Sequence, residues 1–222
     1  MTDAVVIEAL CVGRPRAYGT PGVDRGPQKY WTSAIAKTPV SGPLALSRTQ
    51  LDGDGQADLI HHGGVDKAVC AYAAAHYPYW RETLGRDDFT YGAFGENLAL
   101  SGLDEDGVCL GDRWALGEVL LEVSQPRQPC WKLDARWSIP RLNVMVQRSG
   151  RTGFYFRVVR TGQVAAGRAM TLEARPHPEW TIARTNEVYY RGAGDLEASA
   201  ALAAVPALSR SWRERVGARV PS

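Results

Sequence analysis

The sequence predicts a mainly β protein: a mixed, mostly antiparallel β-barrel over residues 1–176, followed by a small α-helical bundle over residues 177–222. Three observations carry this. Apolar residues alternate at Val119, Leu121 and Val123 and again at Phe154, Phe156 and Val158, the period-two pattern of half-buried strands. Short β-rich stretches are punctuated by Gly and Pro with little βαβ alternation, which favours a closed or nearly closed barrel over a doubly wound sheet. Beyond Pro176 and Pro178 the spacing of apolar residues becomes helical.

Taken in order, Val5 to Val12 reads as a strand, and Pro43 to Leu51 as strand and loop. Between them, Arg14 to Thr32 has no usable period and contains Gly19, Pro21, Gly22, Gly26 and Pro27, so it reads as a long surface loop. Ala73, Tyr77, Trp80 and Leu84 recur at helical spacing, and Pro78 favours a helix start near that residue or a bend. The run Gly107 to Leu116, turned at Gly111 and Asp112, should pair as a hairpin with the strand that follows it. A turn at Thr161 and Gly162 leads to a last strand from Met170 to Arg175. Trp180 to Tyr190, Asp195 to Ala204 and Ser209 to Val220 each read as a helix, with Pro206 breaking the second from the third and Ser211 and Glu214 at capping-box spacing. This tail carries Trp180 and Trp212 but no clustered acid, base or soft ligand. It is therefore expected to pack as a separate bundle serving a partner or homodimer formation rather than chemistry.

A formal net charge of +2 excludes the global basic field of a protein that coats nucleic-acid polymers or acidic membranes, so any anion site must be local. The lysines are four, Lys29, Lys37, Lys67 and Lys132; the other basic residues are arginines, which suit bidentate phosphate recognition. The apolar stretch from Ala4 to Gly13 is interrupted by Glu8 and lacks a basic leader, and no window approaches the ~20 apolar residues of a membrane span. A cytoplasmic location is expected. Cys11, Cys70, Cys109 and Cys130 lack CxxC spacing and should be free thiols.

Chemistry concentrates in three places. In Ser124 to Leu133, SQPRQPCWKL, Pro126 and Pro129 forbid a regular helix or a central strand, so Cys130 sits where a strand empties into a rigid loop. Arg127 and Lys132 are close enough in sequence to favour the thiolate that a metal or an electrophile requires; a buried structural cysteine is the equal alternative. In HHGGVDKA, Gly63 and Gly64 allow positive φ and close approach of a ligand, while His62 and Lys67 supply donors for an anion. This is not a Walker loop, because the GK[ST] ending is missing, and a tight turn is its plainer reading. In FGENL, Glu96 and Asn97 follow a glycine and read first as turn residues. His61, His62, His76 and His177 form no HExxH arrangement and no GxSxG elbow occurs, so a zinc hydrolase and a serine hydrolase are both disfavoured.

The ordered combination HHGGVDKAVCAY, AFGENL, LGD, VSQPRQPCWKL and GFYFRVV resembles the MOSC domain in its YiiM-like branch, from roughly Val6 to Arg175, and the tail resembles the three-helix extension of that branch. The resemblance implies a β-barrel that binds a molybdopterin-type molybdenum cofactor, with Cys130 as catalytic residue and protein ligand to the metal. Around it, His62, Gly63, Gly64, Lys67 and Arg127 would form an anion cradle for the cofactor's phosphate, oriented by Glu96 and Asn97. It further implies reduction of N-hydroxylated small molecules such as hydroxylaminopurine bases with electrons from a separate redox partner. No GxGxxG flavin or nicotinamide fingerprint is present. Two other readings use the same pattern: a cofactor or sulfur carrier, in which Cys130 holds a persulfide, and a non-catalytic binding barrel. One departure is Gly167, Arg168 and Ala169, which stand where the family pattern has a Gly-Asp pair before the last strand.

Overall fold

A computed structural model describes residues 4–26, 28–58 and 63–220. The first half holds β1 (Val5–Val12), β2 (Arg16–Tyr18), β3 (Trp31–Ser33), β4 (Thr38–Val40), β5 (Leu44–Leu46), β6 (Val69–Ala73), α1 (His76–Leu84) and β7 (Leu98–Ser101). The second half of the barrel holds β8 (Arg113–Leu116), β9 (Val119–Pro126), α2 (Trp131–Trp137), α3 (Leu142–Ser149), β10 (Phe154–Arg160), β11 (Gly162–Val164) and β12 (Ala169–Ala174). Three helices complete the chain: α4 (Ile182–Tyr190), α5 (Leu196–Ala203) and α6 (Arg210–Gly217).

Seven strands close a mixed barrel in the order β12, β8, β9, β10, β6, β7, β1, with β1 returning to β12 through Val5 opposite Met170 and Val6 opposite Ala169. The β6–β7 pair, joined through α1, is parallel, and the remaining described pairings are antiparallel. The corner where the sequence departs from the family pattern is closed. Gly167 turns at φ 78°, its N–H donates to the Ile7 carbonyl at 2.7 Å, and the Ile7 N–H donates to the Arg168 carbonyl at 3.0 Å.

Alternation accounts for the strands. Along β10, Phe154, Phe156 and Val158 are buried while Tyr155 and Arg157 are half-buried. β6 departs from alternation, being buried at all five residues, because both its faces are covered. Val69 and Ala71 enter the barrel interior, whereas Tyr72 joins a second core with Trp80, Phe94, Leu133 and Val146 beneath α1, α2 and α3. Pro78 falls in the first turn of α1, where its missing N–H costs no helical hydrogen bond.

Three local expectations are revised and one is sharpened. The excursion from Arg14 to Thr32 carries a short ribbon, with Arg16 to Tyr18 paired against Trp31 to Ser33 and Tyr18 stacked on Trp31. The run from Gly107 turns at Gly111 as expected, with φ 77° and the Asp112 N–H donating to the Cys109 carbonyl at 3.1 Å, and the hairpin it then forms with β9 reverses at Gly117 and Glu118, where Gly117 takes φ 60°. The segment after Cys130 forms α2 and α3, which the sequence reading left unassigned because each is short and spends its apolar residues on the second core. The tail helices fall where expected but share a core with the barrel: Ile182, Val188, Leu202, Trp212 and Val216 belong to the same apolar cluster as the barrel interior. Backbone bonds reinforce the seam, from Ile182 N–H to Val108 and from Ser209 N–H to Ser124, both at 2.9 Å.

Candidate functional site

β9 ends at Pro126, and the chain runs extended to Cys130, at φ −121° and ψ 165°, before α2 starts at Trp131. The two prolines and the helix start leave the thiol little freedom of placement. Of the four cysteines, Cys11, Cys70 and Cys109 are buried and Cys130 is half-exposed. Burial pushes the buried thiols up, Cys11 to about 12 and Cys70 to about 11.

Cys130 opens onto a cleft of about 670 Å³ whose lining includes Lys37, Lys67, Asn97, Arg127 and Lys132. Three of the chain's four lysines thus meet at one place, which is the local positive field that the small net charge left room for. Arg127 is 7 % exposed. Its backbone N–H donates to Gly153 at 2.9 Å and its Nη2 to the Phe94 carbonyl at 2.6 Å, while Nη1 is buried with no partner among the described residues. A buried guanidinium N–H left unpaired is costly unless a ligand answers it.

FGENL stands behind the cleft as a scaffold. Glu96 is fully buried and accepts from the Tyr77 hydroxyl, from the Gly92 N–H and from the Phe94 N–H at 3.0 Å, so it shapes the loop that carries Phe94 and Gly95. Burial raises its carboxyl pKa against these hydrogen bonds. Asn97 ties three segments together. Its Nδ2 donates to the Cys11 carbonyl at 3.2 Å and to Asp54 Oδ2 at 2.9 Å, and its Oδ1 accepts from the Cys70 N–H at 3.1 Å. Asp54 in turn pairs with Lys37 and accepts from the Gly13 N–H at 2.9 Å.

Of the residues singled out in the sequence, Lys67, Asn97, Arg127 and Cys130 share this cleft, and Glu96 supports it from behind. Gly63 and Gly64 are outside its lining; Gly64 takes φ 90° to start the single 3-10 turn that ends at Lys67. His61 and His62 lie outside the described residues. Lys37, Asp54, Cys70 and Tyr155 were missed. The scarcity of lysine was the available signal for Lys37, whereas Asp54, Cys70 and Tyr155 come together only through strand pairing.

The cleft continues outward past Cys130 into a second chamber of about 1070 Å³, walled in part by Gln125, Trp131 and, from α6, Arg215. The tail therefore reaches the site: Arg215 Nη1 donates to Gln128 Oε1 at 2.9 Å.

Residues 58–171 match the family model of the MOSC domain, and residues 180–220 match that of the YiiM-like 3-alpha helix domain. The chain belongs to the MOSC family. Protein YflK of Bacillus subtilis is 42 % identical over 205 residues, covering 92 % of this chain and 90 % of that protein. Protein YiiM of Escherichia coli is 37 % identical over 182 residues, covering 81 % of each chain. A protein named reductase from Gibberella moniliformis is 41 % identical over 160 residues, which is 71 % of this MOSC chain and 28 % of the fungal protein. The crystal structure of YiiM from Geobacillus stearothermophilus superposes with a TM-score of 0.82 at 39 % identity, covering 98 % of this chain and 100 % of that one.

Proposed function

We propose that this MOSC protein holds a molybdopterin-type molybdenum cofactor in the cleft, with the Cys130 thiolate as ligand to the metal. In this reading it is the molybdenum component of a reductase acting on N-hydroxylated compounds such as hydroxylaminopurine bases. The observation that carries the reading is the half-exposed Cys130 thiol opening onto a cleft in which Arg127 keeps a buried N–H with no partner among the described residues.

The donor set fits the two ends of such a group. A soft thiolate suits the metal, and cationic side chains suit a phosphate. Among the described residues no three His, Cys, Asp or Glu side chains cluster to hold a metal ion by themselves. Cys130 would accordingly share the metal with ligands the cofactor brings. Arg127 would donate its free N–H to the phosphate, Lys67 and Lys132 would offset its charge, and the Lys37–Asp54–Asn97 network would hold the wall in place. When bound, the molybdenum centre supplies the redox capacity for removing oxygen from an N-hydroxylated substrate. Electrons would come from a separate donor protein, since the chain carries no dinucleotide fingerprint. The family match and the reductase name of the fungal relative support this assignment.

The test separates the two ends. Pterin and molybdenum are measured independently in the purified wild type, Cys130→Ser and Lys67→Ala, alongside reduction of an N-hydroxylated base with an artificial electron donor. Cys130→Ser should retain pterin and lose turnover by about a hundredfold or more, because a hydroxyl is a harder and far less acidic ligand. Lys67→Ala should lower pterin and molybdenum together. Turnover in Cys130→Ser equal to that of a surface variant would remove the thiolate assignment. A loaded wild type without turnover would favour a cofactor or sulfur carrier.

A further inference from the structure

The outer chamber is not a simple continuation of the cradle. It shares Lys67, Cys130 and Lys132 with the inner cleft, but adds Gln125, Trp131 and Arg215. Three cations thus converge there from three parts of the chain: the loop before β6, the start of α2 and the last tail helix. Asp58 is the one carboxylate in the described lining. Burial and the nearby Arg215 guanidinium lower the affinity of Lys67 for its proton, against the opposing pull of the Asp66 and Asp58 carboxylates.

A second observation is independent of charge. Gln125 is 1 % exposed, and its Nε2 is committed to the Pro126 carbonyl at 3.1 Å. That bond fixes which end of the amide is which, and it leaves Oε1 buried, with no partner among the described residues, in a side chain that belongs to the lining of the outer chamber. The tail holds the rim in register: Arg215 and Tyr190 both engage the Gln128 side chain, two residues before Cys130, while Trp212 and Val216 anchor α6 in the core.

We propose that this outer chamber is a substrate subsite for a phosphomonoester, with Arg215 of the tail receiving the phosphate and Gln125 Oε1 accepting from an N–H of the same molecule. The inference rests on the reductase reading for the identity of the reaction, and it narrows that reading to phosphorylated substrates over their neutral counterparts. It also gives the helical extension a chemical role, as the part of the chain that reads the substrate's charge.

Binding to the purified full-length protein tests this without turnover. Calorimetric titrations compare a purine nucleoside 5′-monophosphate, the same nucleoside and inorganic phosphate against the wild type, Arg215→Gln, Arg215→Lys and Gln125→Leu. The monophosphate should bind at least about tenfold more tightly than the nucleoside, the scale expected of a charge-assisted contact. Arg215→Gln should erase that gain and Arg215→Lys should keep most of it. Gln125→Leu should weaken nucleoside and monophosphate alike while leaving inorganic phosphate unchanged. Arg215 is on the surface, and thermal melts verify that its variants are folded. A monophosphate that binds no better than the nucleoside overturns the proposal. So does a gain that survives Arg215→Gln, which would put the phosphate in the inner cradle. These readouts are binding at Arg215 and Gln125 and involve neither turnover nor metal content, so failure of the thiolate assignment and failure of this subsite are separate results.

Discussion

Cys130 differs from the other three thiols in exposure, and that difference is measurable. An alkylating reagent near neutral pH should modify Cys130 first in the native protein and all four cysteines after denaturation, as counted by intact mass. Rapid native labelling of Cys70 would contradict the burial described here. The buried thiols also set a pH dependence. Cys11 and Cys70, raised from 9.0 to about 12 and about 11, keep their protons in the folded chain over a range where the unfolded chain has lost them. The unfolded state then binds fewer protons, so stability is intact below pH about 9 and falls as the pH rises toward about 11, by up to about 1.4 kcal/mol per pH unit for each thiol. Urea midpoints measured through this range should decline, and Cys11→Ala should make the decline shallower. Local sequence reads Glu96 as a turn residue beside a glycine, and only the family resemblance placed it near the cofactor cradle. Its role as acceptor for a tyrosine hydroxyl and two backbone N–H groups depends on Tyr77 arriving from α1, and Glu96→Ala should cost about 2–4 kcal/mol in chemical denaturation.

The tail helices begin at side-chain caps. Thr181 accepts from the Arg184 N–H at 3.0 Å, Asp195 from the Ala198 N–H at 2.9 Å and Ser209 from the Trp212 N–H at 3.4 Å. The last helix starts at Ser209 as the sequence indicated, the Ser209 N–H donating to the Ser124 carbonyl, and Ser211 and Glu214, although at capping-box spacing, lie inside the helix. Ser209→Ala should therefore lower the unfolding free energy by about 1 kcal/mol, and Ser211→Ala by clearly less. Equal losses would restore the capping-box reading. In the barrel, a Cβ on Gly153 would lie 2.5 Å from the Ala71 carbonyl oxygen, with φ at +74°. Gly153 also accepts from the Arg127 N–H and donates to Glu105, so this tight approach links β6, β10 and the cysteine loop.

At the scale of the whole molecule, the tail and the barrel share one apolar cluster and the cleft takes its outer wall from both. A chain ending at Arg175 would lose Trp180, Ile182, Val188, Leu202, Trp212 and Val216 from that cluster. Such a truncation should unfold at a markedly lower temperature or fail to remain soluble, whereas a separately packed bundle could be removed without that effect. Circular-dichroism melts decide between them. The point variant Trp212→Ala, which empties a fully buried site, should cost about 3–5 kcal/mol.

By itself the sequence determined the strands of the barrel from the alternation at Val119 to Val123 and at Phe154 to Val158, and it determined the family from the order of its motifs. It also singled out Cys130, because prolines on both sides of Arg127 leave few local structures open. Tertiary structure alone decided which side chains face the thiol. Lys37, Asp54, Tyr155 and Arg215 are remote from Cys130 along the chain, and barrel closure together with docking of α6 brings them to one cleft. The physical reason is that periodicity reports only which face of an element is buried. Register and crossover connections, which local sequence does not encode, decide what that face meets.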